Sequence, residues 1–153
     1  METFLKFGYS FQNKVLTSLM TDNLFLQQVS DVMKPSYFDS ESKQWIVQTI
    51  FSHFTQYKTS PSLETFKIKI DQEKIDGVLK QTIIDSLRDV HKHIGDSDLQ
   101  YIKDEAINFC KNQCIKKAVL DSVELLENGS YDQIKSLIDN AMKAGADQNV
   151  GHD

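Results

Sequence analysis

The chain has 153 residues, 40% hydrophobic and 25% charged, enough to bury one sizeable core without a metal or a disulfide. Its 17 Lys and Arg against 22 Asp and Glu leave a net charge of -5, a poor balance for holding nucleic acid through phosphate contacts alone. The start, METFLKFGYS, lacks the basic-then-apolar order of a signal peptide, and no apolar run reaches the roughly 20 residues that span a bilayer, so a cytoplasmic protein without a membrane partner is expected.

Only six glycines and two prolines punctuate the chain, which suits helices rather than many short strands. Phe4, Phe7, Tyr9 and Phe11 open it without interleaved basic residues, so they read as a segment docked on a core rather than a base-stacking platform. Ser10 can cap a first helix carrying Phe11, Val15, Leu16, Leu19 and Met20. Asp22 can cap a second with Phe25, Leu26, Val29 and Met33, ending before Pro35. Tyr37 and Phe38 then plug the core. A third helix over about 40–58 carries Trp45, Ile46, Ile50 and Phe54, and Ser62 is placed to cap the next element after the Pro61 break.

Phe66-Lys67-Ile68-Lys69-Ile70 alternates like a strand. No second alternating run could pair with it, so it reads as a short helix packed on two sides. A long helix is expected over 72–94, with Gly95 at its left-handed C-terminal position. Ser97-Asp98-Leu99-Gln100 has the form of a capping box, with Asp96 and Asp98 serving the helix dipole. It opens a helix of roughly 30 residues, unbroken until Gly129. Two apolar rows run along that helix: Ile107, Cys110, Cys114 and Ala118, and Ile115, Val119, Val123 and Leu126. A second box, Ser130 to Gln133, opens a last helix striped with Tyr131, Ile134, Leu137, Ile138, Ala141 and Met142, ending near Gly145. The reading is an all-α fold: a compact helical head (1–95), then a long antiparallel helical hairpin (96–146), then the start of a linker (147–153). The hairpin offers more apolar surface than the head can cover, and Leu120, Val123, Ile134, Leu137, Ile138 and Met142 are the candidate interface residues.

No catalytic constellation accompanies this pattern. There is no GxxxxGK followed by Ser or Thr, no GxGxxG and no HExxH. His91 and His93 lie two apart and point to different sides of a helix, and His53 falls among Trp45 and Phe54 as a rim or core residue. Cys110 and Cys114 are four apart, which suits neither a redox CxxC nor a four-ligand zinc site. Lys111, Lys116 and Lys117 read as a solvated face. No catalytic, cofactor or metal residue is assigned.

Val15-Leu16-Thr17-Ser18-Leu19-Met20-Thr21-Asp22-Asn23 resembles the V-L-x-x-L-M-x-D-N signature of the first helix pair in DnaB-like replicative DNA helicases. Tyr37-Phe38, the Trp45 to Phe54 helix, Tyr57 and Pro61 follow in the family's order, and Ser97 to Ala144 is similar to its two-helix extension. The tail Val150-Gly151-His152-Asp153 looks like the approach to the motor domain in the T-even-type phage helicases. Bacterial members carry an acidic residue where this chain has Ser62-Leu63. The resemblance implies an N-terminal collar that is not itself an enzyme, self-associating as a dimer, trimer of dimers or hexamer. Primase and a helicase loader would dock on it. ATP, magnesium and single-stranded DNA would belong to a motor domain beyond Asp153. For a phage protein the compartment would be the host cytoplasm. A stand-alone helical adaptor, binding one partner through the hairpin, is the other reading.

Overall fold

The computed structural model describes residues 2–147; residues 148–153, on which the tail and most of the linker reading rest, lie outside the described residues. The fold is all-α, and no strand occurs among the described residues. After a 3-10 turn at Phe4–Phe7 come α1 (Tyr9–Thr21), α2 (Asn23–Val29), α3 (Glu41–Tyr57), α4 (Leu63–Gln72), α5 (Gly77–Lys92), α6 (Leu99–Glu127) and α7 (Tyr131–Asp147). A second 3-10 turn, Pro35–Tyr37, leads into α3.

Four short polar side chains start these helices. Asp22 Oδ1 accepts from the Phe25 amide at 3.1 Å, and Ser40 Oγ from Lys43 at 3.3 Å. Ser62 Oγ accepts from Thr65 at 3.2 Å, and Asp76 Oδ1 from Leu79 at 3.0 Å. Each satisfies an amide that has no partner inside its own helix.

Several boundaries differ from the sequence reading. Ser10 does not cap α1, which starts two residues earlier than that cap would place it, behind Gly8, whose φ of 103° turns the chain out of the 3-10 segment. The 66–70 stretch is helical, but α4 buries one side only: Phe66 and Ile70 are covered, whereas Ile68 is 54% exposed. The helix read over 72–94 begins only at Gly77, because Lys74 adopts a left-handed φ of 51° and Asp76 caps a new start. The Ser97 box does not form. Asp98 precedes α6 without capping it, because Lys14 Nζ on α1 draws its carboxylate to 2.7 Å. The last helix continues past Gly145 to Asp147.

One core gathers the elements. Phe4 is fully buried, with its ring 4.7 Å from Phe109, 5.1 Å from Phe38, 5.7 Å from Phe11 and 5.9 Å from Tyr37. The N-terminal aromatics Phe4 and Phe11 therefore dock on the core, as does the Tyr37-Phe38 pair. Buried polar groups pin helix to helix: Thr17 Oγ1 donates to the Val90 carbonyl at 2.7 Å, and Gln12 Oε1 accepts from the Asp39 amide at 3.0 Å. Residue 95 does not bound this core. Ile102, Ala106, Ile107, Phe109 and Cys110 of α6 belong to it, with α1 and α2 as neighbours. The first half of α6 is thus a wall of the head, while α7 packs on α6 and brings Ala144 against the same core.

Candidate interaction surface

The hairpin turn is built from backbone geometry. Gly129 has φ 71°, and the Ser130 amide donates to the Leu125 carbonyl at 3.0 Å while the Gly129 amide donates to Leu126 at 3.1 Å. This is the Schellman closure, which satisfies the carbonyls left free at the end of α6 and reverses the chain. α7 then packs back along α6.

That packing divides the six candidate residues. Ile134 and Leu137 are half-buried, and Leu137 shares a groove with Leu125 of α6. They act within the hairpin. Leu120 is 71% exposed, and Val123, Ile138 and Met142 are also exposed. Ala118 is buried, but the adjacent Val119, Leu126 and Tyr131 stand in solvent and extend the apolar surface around the turn. All of these except Leu120 lay in an apolar row of the sequence, and nothing there separated them from core positions.

Charge follows the same geography. From Ala118 to Ile134 the chain carries Asp121, Glu124, Glu127 and Asp132 and no Lys or Arg. Lys117 Nζ reaches Asp121 at 2.7 Å; Glu124, Glu127 and Asp132 make no ion pair among the described residues. Lys116 is held by Glu2 at 3.2 Å, so the basic cluster of α6 is partly neutralised by the N-terminal segment.

Two grooves flank α4. The larger, about 650 Å³, lies against α3 and is lined by polar and aromatic groups including Trp45, Gln48, His53, Tyr57 and Lys69. The smaller, about 340 Å³, lies against α5. Its floor is Ile70 and Leu87, its sides Leu63 and Ile84, and Lys67, Lys80 and Asp71 stand at its rim.

Several of the remaining titratable groups make contacts within the fold. His53 stacks on Tyr57 at 4.6 Å, and His93 Nδ1 lies 2.8 Å from Asp96 Oδ2. Asp96 and Asp98 both face Lys14, at 3.8 and 2.7 Å, rather than the α6 dipole. Burial pushes the Cys110 and Cys114 thiols up from their ordinary range, so both pack as small apolar groups rather than reactive thiolates. No group of His, Cys, Asp or Glu among the described residues is arranged to hold a metal ion, and no described helix is long and apolar enough to cross a membrane.

No protein-family model matches this chain, and no curated protein or solved structure matches it.

Proposed function

We propose that this chain is the collar of a DnaB-like replicative helicase, a non-catalytic tier that self-associates and carries docking sites for primase and a helicase loader. The observation that carries the reading is the set of exposed apolar side chains on the distal hairpin, Leu120, Val123, Ile138 and Met142. Exposed apolar groups on a helical hairpin suit packing on a like hairpin, which builds a symmetric frame. The residues that carry the resemblance add support through their positions. Val15, Leu16 and Leu19 are core residues of α1, and Asp22 is the corner cap between α1 and α2. The net charge of -5 suits a tier that lets DNA pass without trapping it. ATP hydrolysis and grip on single-stranded DNA would rest with a motor domain beyond residue 153.

The native reading frame past codon 153 tests the proposal. A frame that continues into a strand followed by GxxxxGK and Ser or Thr supports the collar. A stop codon there overturns it and leaves a helical adaptor as the reading.

A further inference from the structure

Two surfaces of this molecule combine apolar side chains with charges of opposite sign. One is the groove between α4 and α5, apolar at its floor and sides, with Lys67 and Lys80 at the rim. Lys80 is shared with Asp71 at 3.7 Å, whereas Lys67 makes no ion pair among the described residues. The other is the end of the hairpin. Leu126 and Tyr131 flank the turn and are 56% and 66% exposed, and the exposed residues that follow them in the chain, Glu127 and Asp132, make no ion pair among the described residues.

Size selects the kind of occupant. A groove of about 340 Å³ accepts side chains rather than a whole helix, so what enters it is the projecting end of an element. The hairpin end is such an element, with two apolar knobs and two carboxylates. α7 packs principally on α6, which leaves the same molecule's groove open. We propose that the hairpin end of one copy docks in the α4–α5 groove of a second copy. Leu126 and Tyr131 fill the groove between Leu63 and Ile84, and Glu127 and Asp132 meet Lys67 and Lys80. The contact joins two different patches, so it is head-to-tail and propagates into a ring or a filament. It needs only these surfaces and does not rest on the collar reading, whose contact is hairpin on hairpin through Ile138 and Met142.

Sedimentation velocity over a protein concentration series tests it, with circular dichroism as the check on folding. The wild-type chain should self-associate, and more weakly as salt rises, because the paired charges are exposed. Lys67→Glu with Lys80→Glu should raise the dissociation constant by about tenfold or more, as should Glu127→Lys with Asp132→Lys. Combining all four reversals should restore association to near the wild-type level. Leu63→Glu changes an exposed residue at the groove wall and should weaken association without loss of helicity. Should either charge pair fail to fold, Leu63→Glu and the salt series still decide the matter. A wild-type chain that stays monomeric throughout the series overturns the inference. So does an oligomer that Ile138→Asp disperses while Leu63→Glu and both reversals leave it intact; that result would retain hairpin-on-hairpin packing and remove the groove contact. Dispersal by the groove and hairpin-end variants but not by Ile138→Asp would carry the inference and count against the collar's contact.

Discussion

Lys103 Nζ lies 2.7 Å from Asp22 Oδ2, tying the opening turns of α6 to the corner between α1 and α2. The same carboxylate caps α2 through its other oxygen, 3.1 Å from the Phe25 amide. One side chain therefore sets the start of a helix and the seat of another 81 residues away. Lys14 and Asp98 make a parallel tie, at 2.7 Å, where α6 begins. Together they hold α6 against α1 at two points along its first turns.

These ties predict an acid-labile head. Burial alone would raise the Asp22 pKa, but the hydrogen bonds from Lys103 and the Phe25 amide outweigh it and hold the carboxyl below its usual range. The hydrogen bond from Lys14 does the same for Asp98. A carboxylate with a depressed folded pKa contributes its full stability above the unfolded value of about 4, and that contribution is lost as pH falls through the folded value. Urea unfolding midpoints between about pH 7 and pH 2 should fall on the acid side, and less steeply in Asp22→Asn. Identical pH profiles for the wild type and Asp22→Asn would remove Asp22 as the linked group. Asp22→Ala should also lose about 1 kcal/mol at neutral pH through the missing cap.

Phe4→Ala should cost about 3–5 kcal/mol in urea unfolding, because its ring contacts Phe11, Tyr37, Phe38 and Phe109 and the head cannot close the void. A loss under about 1 kcal/mol would mean that the N-terminal segment is not seated on the core.

Gly129→Ala should cost about 1–2 kcal/mol, since φ 71° is strained for any residue with a Cβ. The effect should be local. Amide hydrogen exchange should quicken along α7 while α1 amides keep their protection, because α7 leans principally on α6. Uniform acceleration through the head would contradict a core that ends within α6.

Leu137→Asp and Ile138→Asp should part company. Leu137 faces the hairpin groove beside Leu125, so an aspartate there should loosen α7 and lower helicity. Ile138 is 37% exposed, so its aspartate variant should keep its helicity and lose self-association, with a dissociation constant raised about tenfold or more. Mass by light scattering and helicity by circular dichroism read both. A doubly substituted chain with unchanged mass and helicity would sink the role given to this stripe.

Most helices were legible in the residues because their signals are local. Asp22, Ser40 and Ser62 start helices where short polar side chains precede apolar spacing of three and four. The errors fell where a distant group intervened. Asp98 looks like part of a capping box, yet Lys14 takes its carboxylate from a helix 84 residues away. The 72–94 pattern is continuous in hydrophobicity, so the break at Lys74 to Asp76 was hidden by apolar residues that suit either one helix or two.

The candidate surface was half legible for a related reason. Residue pattern alone pointed to an all-helical chain, a hairpin turning at Gly129, and a set of apolar residues on α6 and α7 that exceeds what one small head can cover. Periodicity records which side chains favour burial, a property of each residue and its near neighbours. It does not record what covers them. It took the folded arrangement to show that Ile102, Ala106, Ile107, Phe109 and Cys110 are walled in against α1 and α2 while Val119, Leu120 and Leu126 on the same helix stand in water. That division depends on where the head ends in space, and contacts between residues far apart in the chain set it.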